Sequence, residues 1–179
     1  SDVCSSDLKK DEKKYNQQYF ERIKEVIAER SGHNVLMGIS DENETYITFQ
    51  MTYKEAINAL EIAHIRKKEC PVVWNEKIGY WKLLKDMSQQ QQCKEFVSKK
   101  IDALIQYDKE NESDLIETLE ALVNHLGARN ITATSLYLHR NTLMYRKKKI
   151  ENLTGYDLSD PESILELSLA LRLNKFMNH

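Results

Sequence analysis

"LHRNTLMYRKKKIENLTG", residues 138–155, is the stretch that decides the fold. Leu143, Ile150 and Leu153 recur at helical spacing and form one apolar stripe. Thr142, Tyr145, Arg146 and Lys149 fall on a second stripe that points elsewhere. Asn141 or Thr142 is the expected cap of this helix, and Gly155 ends it. Just upstream, residues 130–138 have the length of one short helix, and Leu138-His139-Arg140 makes a brief connector. Two short helices joined by a tight turn form a helix-turn-helix.

The charge on this stretch does not follow from bulk composition. The 179-residue chain has a formal net charge of −2. Yet residues 129–150 hold Arg129, Arg140, Arg146, Lys147, Lys148 and Lys149, with no Asp or Glu. Residues 108–120 are the reverse: Asp108, Glu110, Glu112, Asp114, Glu117 and Glu120 against Lys109 alone. A basic edge with an acidic back suits a domain that meets phosphates. A second helix of this kind fits the DNA major groove with its N-terminal residues near base edges. There Asn pairs with adenine and Arg with guanine, while lysines attract phosphate without reading sequence. The competing reading is a charged face that is merely solvated. It is weakened by the position of the charge on the second helix of a helix-turn-helix.

Working outward, everything after about residue 88 reads as helix. Phe96, Ile101, Leu104 and Ile105 share one segment. Leu115, Ile116, Leu119, Leu122, Val123 and Leu126 make an amphipathic stripe that ends at Gly127. Asp160 followed by Pro161 is an N-cap with proline at the first helical position. The helix they open carries Ile164, Leu165, Leu167, Leu169, Leu171, Leu173 and Phe176, apolar on more than one side. It either fills the core or adds a dimer face. "SQQQQCK" (88–94) is a linker or the first turn of the next helix.

The upstream part has a different texture. Tyr15, Tyr19, Ile23, Val26 and Ile27 predict a helix that ends at Gly32. "NVLMGIS" (34–40) and "PVVW" (71–74) predict buried strands, and "DENE" (41–44) a loop. "TYKE" (52–55) is a capping-box pattern, followed by a face of Tyr53, Ala56, Ile57, Leu60 and Ala63. Tyr80, Leu83, Leu84 and Met87 predict a short helix. Helix, strand, helix, strand is an α/β arrangement too small to close a sheet by itself. The first residues, "SDVCSSDL", resemble the in-frame translation of a common sequencing adapter. Residues 1–8 are therefore expected to be non-native and the natural protein to continue upstream. The expected division is 1–8, an α/β segment at 9–88, and a helix-turn-helix domain at 89–179. The fold class expected is mainly α, a C-terminal helix-turn-helix domain preceded by a partial α/β segment.

At these residues the chain resembles the PucR/CdaR family of bacterial transcriptional regulators. The text that carries the resemblance is "DLIETLEALVNHL" (114–126), "HRNTLMYRKKKIENLTGYDLSDPES" (139–163) and "LELSLALRL" (165–173). It extends over roughly residues 80–177. The upstream segment looks like the end of the degenerate GGDEF-like domain that often precedes it. The resemblance implies a DNA-binding regulator that responds to a small-molecule effector, bound by a domain upstream, and activates a catabolic operon. It further implies a homodimer on double-stranded DNA in the cytoplasm. His139, Arg140, Asn141, Thr142, Tyr145 and Arg146 fall on the DNA-reading part of the motif; Lys148 and Lys149 join them as basic neighbours. Tyr145 could instead pack as an aromatic brace. Lys147 departs from the family pattern, where an apolar residue completes the stripe between Leu143 and Ile150. A lysine there has to snorkel or loosen the packing. The stretch between Asn130 and His139 is shorter than the pattern, but Ala133, Leu136 and Leu138 keep its core positions.

Other chemistries find no support. No GGDEF or GGEEF string occurs, so a cyclic-dinucleotide synthase is not expected. Nor is there a P-loop, a GxSxG or an HExxH, and His33, His64, His125, His139 and His179 include no ligand-spaced pair. Cys4, Cys70 and Cys93 are odd in number and form no CxxC. No catalytic residue, metal or cofactor is expected, no run of apolar residues spans a membrane, and the protein is not expected to be an enzyme. The alternative to DNA binding is a helical dimerisation or protein-interaction module.

Overall fold

The computed structural model describes residues 5–41, 49–66 and 71–178, with side chains from Gln17 onward. Cys4, Cys70, His179 and residues 42–44 of the expected loop lie outside the described residues, as does the side chain of Tyr15. The fold is mainly α. Its elements are α1 (Ser5–Ser31), β1 (Met37–Ile39), α2 (Phe49–Ile65), β2 (Val72–Trp74), a 3-10 turn (Asn75–Lys77), α3 (Tyr80–Ser88), α4 (Gln91–Asn111), α5 (Leu115–Asn124), α6 (Arg129–Ser135), α7 (Arg140–Thr154) and α8 (Pro161–Met177). Two compact units divide the chain, residues 1–82 and 83–179. The division falls inside α3, upstream of the polar stretch 88–94. Of the two expected readings of that stretch, the first turn of the next helix holds: α4 begins at Gln91.

In the first unit β1 and β2 pair in parallel, with Met37 opposite Val72, Gly38 opposite Val73 and Ile39 opposite Trp74. Parallel strands need a crossover, and α2 supplies it. Beyond the strand ends, Asn75 Nδ2 donates to Asp41 Oδ2 at 2.8 Å. The helix lies so close to β1 that a Cβ on Gly38 would stand 2.2 Å from Leu60 N and 2.3 Å from Ala56 O. The expected face of α2 is corrected in part. The buried residues are Ala59, Ile62 and Ala63; of the expected face, Ala63 is buried and Ala56 half-buried, while Tyr53, Ile57 and Leu60 are exposed. Thr52 is no cap either, because the helix already starts at Phe49. On α1 most of the described stripe is likewise turned out, with Ile23 half-buried. Tyr19, Val26 and Ile27 are exposed, and Phe20 meets Trp74 edge to face at 5.5 Å. β1 is half-buried rather than buried. In α3 the buried residues are Trp81, Leu84 and Ser88, while Tyr80, Leu83 and Met87 are exposed.

The second unit is a helical bundle in which α7 touches α4, α5 and α6, and α8 touches α4 and α5. Its core holds Ile101, Leu104, Leu119, Leu122, Leu143, Ile150, Leu158, Leu167 and Leu173. Each such side chain contributes about 1.5–3 kcal/mol by leaving water. The α4 face is Cys93, Val97, Ile101 and Leu104, with Phe96 and Ile105 half-buried at its edges. Leu126 departs from the expected α5 stripe. The helix ends at Asn124, and Leu126 lies exposed in the turn with φ 50°. Gly127 (φ 75°) then returns its N–H to Leu122 O at 2.8 Å. The α8 cap forms as expected: Asp160 Oδ2 accepts from Ser163 N and Oγ, both at 2.8 Å. On that helix Leu165 and Leu169 face solvent.

Lys100 of α4 ties the last turn of the fold together. Its ammonium donates to the Tyr156 hydroxyl and the Glu166 carboxylate, and lies 4.3 Å from the centre of the Tyr156 ring. Burial lowers its pKa most, but hydrogen bonds and charge from Glu166 and Tyr156 together outweigh burial, so the net shift is upward. A lysine raised in the fold stabilises below its unfolded pKa and loses that contribution as pH climbs through the folded value. The stability advantage over Lys100→Met should therefore hold at neutral pH and shrink above the ordinary value of 10.5, read by denaturant unfolding across pH. For the first unit, Gly38→Ala should cost about 1–3 kcal/mol by overpacking. Hydrogen exchange should report it as faster exchange in residues 49–65 while amides of residues 115–173 keep their protection.

Candidate nucleic-acid interface

The helix-turn-helix consists of α6 and α7. Within α6, Thr132 and Ala133 are buried and Thr132 Oγ1 donates to Ala128 O at 2.9 Å. The helix stops at Ser135, earlier than Leu138, because Tyr137 is left-handed with φ 53°. Glycine is the residue for which that conformation carries no steric penalty. A tyrosine pays about 1–2 kcal/mol, and its side chain is 97% exposed. Leu136 and Leu138 are half-buried.

The cap of α7 is His139, not Asn141 or Thr142. The helix begins at Arg140, and His139 Nδ1 accepts from Asn141 N at 3.2 Å. With Nδ1 accepting, the proton of the neutral ring is on Nε2. Asn141 and Thr142 are thereby left in the first helical turn with exposed side chains. The helix closes at Gly155 (φ 77°) with its N–H on Glu151 O.

The side chains of α7 then sort into three groups. Leu143, Lys147 and Ile150 are buried. Arg140, Asn141, Thr142, Tyr145, Lys148 and Asn152 are exposed, so Tyr145 is not a packing brace. Between these groups, Arg146 and Lys149 are half-buried and engaged. Arg146 Nη1 donates to Thr118 Oγ1 at 3.0 Å and Nη2 to Asp114 Oδ2 at 3.3 Å, both on the α5 side. Lys149 Nζ sits 4.5 Å from the centre of the Tyr107 ring of α4. Seven of the eight expected residues are therefore brought onto one helix, with His139 at its cap, but not onto one face. Arg129, Arg140 and Lys148 make no ion pair with the described residues.

Lys147 is resolved by pairing rather than by snorkelling. It is 6% exposed, and its ammonium donates to Glu151 Oε1 at 2.5 Å and to Ser159 Oγ at 3.3 Å. Glu151 Oε1 also accepts from Leu158 N at 3.0 Å, which pins the loop after α7. The i, i+4 spacing of Lys147 and Glu151 was readable in the sequence; the link from Arg146 to α5 had no local signal. Nor did the cap of α5, which comes from the preceding helix. Asp108 accepts from Leu115 N at 2.9 Å and from Ile116 N at 2.8 Å. Among the described residues no group of His, Cys, Asp and Glu could hold a metal, and no helix is long and apolar enough to cross a membrane.

A short helix, a tight turn and a second helix with an exposed polar and basic face, seated on a bundle, define a helix-turn-helix domain. Residues 115–173 match the family model described as the PucR C-terminal helix-turn-helix domain. The chain is 29% identical over 142 residues to the proline-responsive transcriptional activator PutR of Bacillus subtilis (strain 168), covering 79% of the chain and 34% of that protein. To the purine catabolism regulatory protein of the same organism it is 28% identical over 160 residues, 89% of the chain and 30% of that protein. To the carbohydrate diacid regulator of Escherichia coli (strain K12) it is 39% identical over 66 residues, 37% of the chain and 17% of that protein. The chain thus spans about a third of the length of the two Bacillus regulators.

Removing one partner of the buried pair leaves a charge without compensation. Glu151→Ala should lower unfolding stability by about 3 kcal/mol. Lys147→Leu should lower it by less, because Glu151 is partly exposed and keeps the Leu158 amide. Chemical denaturation of the whole chain measures both.

Proposed function

We propose that this chain carries the DNA-binding end of a transcriptional regulator. The observation that carries this reading is the exposed face of α7. Arg140, Asn141 and Thr142 stand in its first turn, Tyr145 one turn on and Lys148 beyond. The match of residues 115–173 and the names of the relatives support it. In this reading α7 enters the major groove by its N-terminal end. Asn141 and Arg140 face base edges, where amide and guanidinium read adenine and guanine. Tyr145 and Thr142 contact bases or sugar, and Lys148 meets a phosphate. His139 sets where the helix starts, and Lys149 stands beside the groove against Tyr107. Two copies on a near-palindromic site would place their helices one helical turn apart, about 34 Å.

The wider reading concerns the protein as a whole. The relatives are named for response to proline, for purine catabolism and for carbohydrate diacids. This favours an activator of a catabolic operon, governed by a small-molecule effector bound by an upstream domain and working in the cytoplasm. Residues 9–88 would be the C-terminal part of a GGDEF-like α/β domain. Two observations support that: the parallel strands joined by α2, and an alignment with the Bacillus regulators that extends well beyond the helix-turn-helix. The reading contains no catalytic step.

Fluorescence anisotropy of the full chain against labelled duplex DNA at several salt concentrations tests it. Log affinity should fall with log salt by about 0.9 per phosphate contacted. Lys148→Ala should weaken binding to all duplexes alike and lower that slope by about 1. Asn141→Ala should cost about 1–3 kcal/mol on a preferred duplex and relax the preference. A folded chain with a flat, salt-insensitive signal would overturn DNA binding in favour of a protein-interaction module.

A further inference from the structure

Arg146, one of the α7 cations that the sequence pointed to as a DNA reader, is engaged within the fold. Its guanidinium forks onto two acceptors, the Thr118 hydroxyl at 3.0 Å and the Asp114 carboxylate at 3.3 Å. Thr118 is 0% exposed, and its own hydroxyl proton goes to Asp114 O at 2.7 Å. That donation leaves its lone pairs directed at the arginine. Asp114 is available because it caps nothing. Asp108, reaching over from α4, takes the first amides of α5, and the Asp114 side chain makes no capping bond. Three residues from two helices thus lock one angle between α5 and α7. A planar fork on two acceptors restrains rotation in a way that one lysine contact cannot.

The consequence for recognition is mechanical and electrostatic. Base reading needs side chains held to within about 0.5 Å. Arg140, Asn141, Thr142 and Tyr145 ride on the same rigid helix as Arg146. If α7 rolled about its axis, all four would move off register together. Meanwhile Asp114 neutralises Arg146, which then adds little to the attraction for phosphate. We infer that Thr118 and Asp114 are positioning residues for sequence reading: through Arg146 they set the roll of α7 on α5, although neither touches DNA. This inference rests on the DNA-binding reading above.

The test separates preference from attraction. A duplex is selected from a random pool with the full wild-type chain, and its affinity is compared with that of a random duplex of equal length. Thr118→Val removes the hydroxyl acceptor at almost constant shape. It should keep the wild-type helical signal, the wild-type affinity for random duplex and the wild-type salt slope. It should lower the preference for the selected duplex about tenfold. Thr118→Ser restores the hydroxyl and should restore the preference. If Thr118→Val fails to fold, Asp114→Asn on the exposed arm of the fork decides in the same way, with a smaller loss. An unchanged preference in the variant that folds would overturn the inference. So would a salt slope reduced by about 1 in Arg146→Gln, because that would put the guanidinium on a phosphate. A wild-type chain with no salt-dependent DNA binding would instead sink the DNA reading itself, and the positioning role with it.

Discussion

The second unit depends on α7 serving two surroundings at once. Leu143 and Ile150 are fully buried against neighbouring helices, and this burial decides which way the remaining side chains point. With 3.6 residues per turn, fixing those two positions leaves Asn141, Tyr145, Lys148 and Asn152 on the far side. The exposed polar face is thus a result of core packing rather than of any property of the polar residues themselves. Lys147 is the cost of this arrangement, since the stripe passes through it. A buried ammonium is tolerable only with compensating acceptors, and Glu151 and Ser159 supply them. Because Glu151 also holds the Leu158 amide, the same pair orders the loop that leads to α8.

Charge distribution follows from the same packing. The six basic residues of 129–150 look like one cluster when counted along the chain. Folding divides them. Arg146 turns to Asp114 and Thr118, Lys147 to Glu151, and Lys149 to the Tyr107 ring, while Arg129, Arg140 and Lys148 remain without an ion pair to the described residues. The field presented to a phosphate backbone is therefore set by fewer charges than the formal count, and they are spread from α6 to the middle of α7. Acidic residues that look like a solvated back turn out to have assigned tasks. Asp108 caps α5, Asp114 receives Arg146, and Glu120 pairs with Lys175 of α8.

The first unit obeys a different constraint, the close approach of α2 to β1 over Gly38. A strand with a glycine admits a helix backbone at a distance that excludes large side chains. The backbone at Ala56 and Leu60 makes the contact, and the side chains of Tyr53, Ile57 and Leu60 are exposed. The apolar periodicity along α2 marks the buried side only in part: Ala63 is buried and Ala56 half-buried, but its large residues are exposed.

Much of the local order that rests on neighbours in the chain was legible in the sequence, but the His139 cap and the left-handed Leu126 and Tyr137 were not. The existence of the two helices of the helix-turn-helix, the Asp160-Pro161 start of α8, the stop at Gly155 and the presence of two short strands follow from capping chemistry, glycine's conformational freedom and hydrophobic period. The buried stripe of α7 was legible for the same reason. Tertiary structure decided what periodicity cannot: which of several apolar stripes faces inward, as α1, α2 and α3 demonstrate, and which cations are taken by partners far along the chain. Arg146 meets residues that lie 28 and 32 positions away. No local pattern encodes such a pairing, because it exists only once α5 and α7 have packed. The sequence by itself determined that a basic helix would present a polar face; packing determined which of its side chains are free to use it.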